Sequence, residues 1–198
     1  MQKPDALPAS GAKIALRALN LLGKSDPILS AQFMKLAGID AALPAYTKET
    51  IADLVNAAKT IGNAAEGKKV YEQAGCIACH IPGPQQSKIG PDLSNLARGL
   101  PVDMIVTETI WPALNVKEGY EAATVTLKDG TLISGFKQTE TADAIAIRDM
   151  TSGTMTTIPR CATQSIKTGG SVMPDGLTAA LSTQQLAHLL RYLFELGK

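Results

Sequence analysis

Apolar residues recur at helical spacing over about the first sixty positions. Ile14, Leu16, Ala18, Leu19 and Leu22 predict a broad apolar face on a helix from Gly11 to Leu22, capped by Ser10 and stopped at Gly23. Asp26-Pro27 reads as an N-cap followed by proline at the first helical position, opening a second helix from Ile28 to Ala37 that ends at Gly38. Thr47 is placed to cap a third, in which Ile51, Leu54, Val55 and Ala58 keep the period up to Gly62. A fourth helix, from about Ala65, carries Tyr71, and a fifth spans Pro101 to Ile110 and breaks at Trp111-Pro112. The proline and glycine of the stretch between them, Ile81 to Leu93, predict a loop.

The period then changes to two. Val125 and Leu127 alternate with Thr124, Thr126 and Lys128, Asp129-Gly130 offers a type I′ turn, and Ile145 and Ile147 alternate again. A small antiparallel sheet of four short strands over about 120–160 is expected, inserted in a helical domain because helix returns afterwards. Ser182-Thr183-Gln184-Gln185 is a capping box, and Leu186, Leu189, Leu190 and Leu193 form the face of the helix it opens. The fold class is mainly α. A helical segment, 1–64, reads as a short bundle or the remnant of a repeat array, and a second domain, 65–198, carries the β insertion.

Composition narrows the function. The 198 residues allow one or two domains, and with 45% hydrophobic but only 4% aromatic residues the core must be mostly Ala, Leu, Ile and Val. A net charge of +1 without a basic run asks for neither nucleic acid nor an anionic surface. No apolar stretch approaches the roughly 18–20 residues that span a bilayer, and no apolar secretory core follows Met1-Gln2-Lys3-Pro4-Asp5.

The chemistry concentrates in Cys76-Ile77-Ala78-Cys79-His80, the spacing at which two thiols add to the vinyl groups of one haem and the next imidazole ligates its iron. A structural zinc site would need four ligands, and after His80 only Cys161 and His188 remain, without finger-like spacing. A thioredoxin-type pair would follow a strand, whereas Gly67 to Ala74 reads as helix. Haem attached in this way is attached outside the cytoplasm, so an exported, periplasmic-type location is expected, with the signal peptide absent from this sequence. Cys161 is left over and reads as a small buried hydrophobe.

The sixth iron position has the methionines or His188 as candidates, or it is open. Met173 lies in the loop Ser171-Val172-Met173-Pro174-Asp175-Gly176, after Gly169-Gly170, where proline fixes the backbone behind it. Met104, Met150 and Met155 read as packing residues, and His188 as a solvated histidine. A His80/Met173 pair would close the iron to oxygen and favour one-electron transfer over substrate chemistry.

Gly67, Val70-Tyr71, Cys76 to His80, Gly90-Pro91-Asp92-Leu93, Trp111-Pro112, Glu118-Gly119-Tyr120, Lys128-Asp129-Gly130, Ser171 to Leu177 and Leu189 to Leu193 follow one another in a familiar order. Over roughly residues 66–198 the chain resembles the Pirellula/Verrucomicrobium-type haem-binding domain. That family is similar to class I cytochromes c with a β insertion ahead of the methionine loop. The resemblance implies one covalently attached haem c. It also implies a crossing of the helices bearing Tyr71 and Tyr192, and a hydrogen bond from His80 to the Pro91 carbonyl that orients the imidazole. Family members often end exported proteins that carry helical repeats or a sugar-dehydrogenase-like propeller. The expected function is therefore a monohaem electron carrier, not an enzyme, serving redox donor and acceptor proteins, one of them possibly a dehydrogenase. The alternatives are a haem-based sensor of small ligands and a structural or docking module.

Overall fold

A computed structural model describes residues 7–40, 42–81 and 89–198. The helices are α1 (Ala9–Leu21), α2 (Pro27–Ala37), α3 (Lys48–Thr60), α4 (Ala64–Gln73), α5 (Cys76–Cys79), α6 (Leu96–Gly99), α7 (Val102–Ile110) and α8 (Thr183–Leu193). The strands are β1 (Ala122–Leu127), β2 (Leu132–Glu140), β3 (Ala144–Arg148), β4 (Met155–Pro159) and β5 (Thr163–Gly170). Among the described residues helix accounts for 42% and strand for 18%, so the mainly α expectation undercounts the sheet.

Backbone contacts divide the chain into two compact units. The first contains the residues up to Cys76, Ser94–Leu114 and Asp175–Lys198. The helices of the 1–64 segment thus group with α4, α6, α7 and α8, and α3 packs on both α7 and α8. Capping explains where these helices start. The Asp26 side chain accepts from the Leu29 N–H at 2.8 Å and Thr47 Oγ1 from that of Thr50 at 3.1 Å. Gly38 ends α2 at φ 70°, a conformation other residues rarely adopt. At α8, Ser182 Oγ and Gln185 Oε1 exchange backbone bonds in a complete capping box. The expected Ser10 cap is not made. α1 begins at Ala9 behind Pro8, leaving Ser10 inside the first turn.

Leu189, Leu190 and Leu193 of α8 are buried with Val70 and Tyr71 of α4, each large side chain contributing about 1.5–3 kcal/mol through burial. The two helices cross where Gly67 lies under the His188 carbonyl, and the Tyr71 and Tyr192 rings meet edge to face at 5.3 Å. Trp111, fully buried, ends α7 and donates from Nε1 to the Pro44 carbonyl at 3.0 Å.

The second unit contains Ile77–Leu93 and Asn115–Pro174. Its sheet has five antiparallel strands in the order β4-β3-β2-β1-β5, one more than the spacing indicated. The fifth, β5, includes Gly169 and Gly170, which read as loop in the sequence. Laid flat, five strands would hold the edges about 19 Å apart. The backbone from Pro159 to Thr163 passes through the three-residue 3₁₀ turn Arg160–Ala162 and can cover only about 14 Å. The sheet therefore curls, enclosing Ala123, Val125, Ile145, Ile147 and Ile158. The β1–β2 turn also departs from expectation. Gly130 has φ 87° and no other residue type has positive φ among the described residues, which excludes type I′ at Asp129-Gly130. The Gly130 N–H reaches the Leu127 carbonyl instead, a type I turn closed by a left-handed glycine.

Candidate functional site

The site residues lie where helix α4 gives way to a loop. α4 starts at Asn63, whose side chain accepts from the Glu66 N–H at 3.0 Å, and Gly75, at φ 78°, ends it. The chain then makes one further helical turn, α5. Residues three apart on such a turn share a face, with Cβ atoms about 5–6 Å apart. Cys76 and Cys79 thus sit on one face as half-buried cysteines that are not joined in a disulfide.

His80 follows directly. Its Nδ1 lies 2.9 Å from the Pro91 carbonyl oxygen. A carbonyl can only accept, so Nδ1 carries the proton and the lone pair is left on Nε2. Burial holds the imidazole below its ordinary value near 6.5, and the Pro91 hydrogen bond opposes that shift. Room for the ring comes from Gly90. A Cβ there would stand 2.7 Å from Nδ1 and from Cε1, and 2.6 Å from the Cys79 carbonyl oxygen. The Gly90 N–H donates to that same carbonyl at 3.0 Å, so loop and imidazole are fixed together. Gly90 is the functional position that sequence reasoning missed. A glycine before proline in a loop signals a turn, and nothing local marks a ring packed against it. The interior of the predicted loop, residues 82–88, lies outside the described residues.

Met173 is half-buried in the same compact unit as His80 and Pro91, just after β5, and its N–H donates to Ser171 Oγ at 3.1 Å. Of the three methionines expected to pack, Met150 is half-buried and the other two depart from that role. Met104 on α7 and Met155 on β4 are exposed, because each points away from its element's apolar face. Cys161 is exposed too, in the 3₁₀ turn joining β4 to β5, which corrects the expectation of a buried side chain. His188 is partly buried, and its Nδ1 accepts the Asn63 N–H at 3.0 Å. No three of His, Cys, Asp and Glu come together as a metal-holding group among the described residues.

Residues 64–146 match the family model described as Cytochrome c. The match takes in α4, both thiols, His80, Gly90 and Pro91, and ends before Met173 and α8. No curated protein matches the sequence. The match supports a cytochrome c-like domain that binds haem and carries electrons. The residues present fit that group. The two thiols share a helical turn, the imidazole is oriented by its Nδ1 contact with the Pro91 carbonyl, and the glycine cradle against the ring would be filled by any side chain. No helix among the described residues is long and apolar enough to cross a membrane.

Proposed function

We propose that residues 65–198 form a monohaem c-type cytochrome domain of the Pirellula/Verrucomicrobium haem-binding kind. In this reading it is a carrier rather than an enzyme, and it passes single electrons from an exported dehydrogenase, as its partner or as another part of the same protein, to a downstream acceptor. The observation that carries the reading is the oriented His80 imidazole, 2.9 Å from the Pro91 carbonyl, one residue beyond two thiols on a shared turn. Cys76 and Cys79 would hold the haem through thioether bonds, and His80 and Met173 would ligate its iron. The bound group would supply a one-electron iron couple. The protein's part is to fix it covalently, to aim the imidazole through Pro91 and Gly90, and to keep water and oxygen from the iron with Met173. A thioether ligand raises the potential. Attachment outside the cytoplasm supports a periplasmic-type location.

Two measurements test this. The exported chain should be heavier than its sequence by one haem. Its oxidised spectrum should carry the weak far-red methionine–iron band, and Met173→Ala should remove that band. A colourless exported protein overturns the cytochrome reading, and a band that survives the substitution removes Met173 from the iron.

A further inference from the structure

β5 ends at Gly170, and exposure alternates along the residues that follow it. Val172 and Pro174 are exposed, whereas Met173 between them is half-buried. Successive side chains of an extended chain point to opposite sides, so a loop with this pattern turns the Met173 side chain inward.

Three neighbours fix that direction. Gly170, at φ 74°, lets the chain leave β5 through a conformation that other residues rarely adopt. Pro174 confines Met173 to extended backbone, because its ring crowds the residue before it. Ser171 Oγ accepts the Met173 N–H at 3.1 Å. That bond closes a turn across Val172 in which a hydroxyl takes the place of a backbone carbonyl. Gly170 and Pro174 work through their own backbones, whereas Ser171 works through one side-chain oxygen, which alanine removes.

We propose that Ser171 is the positioning residue for the sixth iron ligand, its hydroxyl holding the Met173 backbone so that the thioether is presented in one direction. The inference rests on the reading of Met173 as that ligand. A thioether is a weak donor, and a weak ligand carried on a loop binds only for the fraction of time that the loop presents it. Loss of one side-chain hydrogen bond shifts such a balance by about two- to tenfold.

The test is displacement of Met173 by imidazole in the oxidised, exported protein, followed by loss of the far-red methionine–iron band. Imidazole gains the iron only when the loop has let go, so its apparent affinity scales with the released fraction. Ser171→Ala should tighten imidazole binding by about two- to tenfold. Ser171→Thr keeps Oγ and should bind imidazole as the unsubstituted protein does. Asp149→Ala is the control. Asp149 Oδ1 accepts the Thr151 and Ser152 N–H groups at 3.0 and 2.6 Å in the turn between β3 and β4. Its loss removes bonds of the same kind elsewhere in the same compact unit and should leave imidazole binding unchanged. Equal affinity in Ser171→Ala and the unsubstituted protein overturns the proposal. So does the same gain in Asp149→Ala, which would mean general loosening, or a threonine variant that behaves like alanine. An unsubstituted protein without the far-red band is a different failure. It removes Met173 from the iron, and this inference falls with the ligand reading.

Discussion

Gly90 and His80 are in contact through the atom glycine lacks, since a Cβ at Gly90 would lie 2.7 Å from Nδ1 of the imidazole. The neighbours are a ring held at Nδ1 and the Cys79 carbonyl, neither of which is the free end of a flexible chain. Gly90→Ala should therefore push the ring off the Pro91 carbonyl and cost about 1–3 kcal/mol in stability. Gly99→Ala, where a Cβ meets nothing within 4 Å, is the control and should be near neutral. Urea unfolding of both variants and haem retention after export provide the comparison. Equal behaviour of the two would remove Gly90 from the site.

At Gly67 two effects oppose each other. Alanine favours helix over glycine by about 0.8–1 kcal/mol. A Cβ there would however run into the carbonyl of His188, with the Tyr192 Cβ 2.7 Å away on the same helix. The obstruction is backbone of α8, so relief requires the helices to separate, an overpacking cost of about 1–3 kcal/mol or more. Gly67→Ala should lower the melting temperature and raise hydrogen exchange along α8. A stabilised variant would mean that α4 and α8 can separate at Gly67 at little cost.

What the sequence disclosed, and what it did not, follows from the range of the interactions. Asp26-Pro27, Thr47 and the Ser182–Gln185 box were legible because a cap and its partner lie within three residues. Cys76, Cys79 and His80 were legible because attachment requires fixed local spacing. The resemblance placed Tyr71 against Tyr192 and Pro91 against His80, contacts that span too many residues for any local pattern to reveal. β5 was missed because Thr163-Gln164-Ser165-Ile166-Lys167-Thr168-Gly169-Gly170 has little β-branched apolar content and pairs along one edge only, with β1. Leu16 and Ile14 share the apolar content of α1, and only the packing of its neighbours decides that one is buried and the other is not.

Trp111 ties α7 to the segment before α3. Its indole N–H reaches the Pro44 carbonyl at 3.0 Å, and its ring meets Tyr46 edge to face at 5.1 Å. Trp111→Phe keeps an aromatic ring but removes the donor, leaving that carbonyl without the indole and a space where the larger ring stood. A loss of about 1–3 kcal/mol is expected from the hydrogen bond. Denaturant unfolding measures it. Residues 30–46 should lose exchange protection first, because Ser30 Oγ joins the same segment by accepting the Tyr46 N–H at 2.8 Å.

His80 makes the haem-free chain sensitive to acid. Burial is the larger influence on its imidazole and holds the folded-state value below the ordinary 6.5, with the Pro91 hydrogen bond opposing. Above 6.5 the imidazole is neutral in folded and unfolded chains alike, and pH has no effect through this group. As pH falls below 6.5 the unfolded chain takes up the proton before the folded chain does, so stability declines until the folded-state value is passed. The sign follows because protonation would return charge to a group that the fold has desolvated. Urea midpoints of the haem-free chain should fall between pH 7 and pH 5, and His80→Gln should flatten that part of the profile. Haem-loaded protein should lack this slope, since Nε2 bound to iron no longer titrates there. A haem-free profile that is flat, or one that rises toward acid, would contradict the buried, carbonyl-bound placement of the ring.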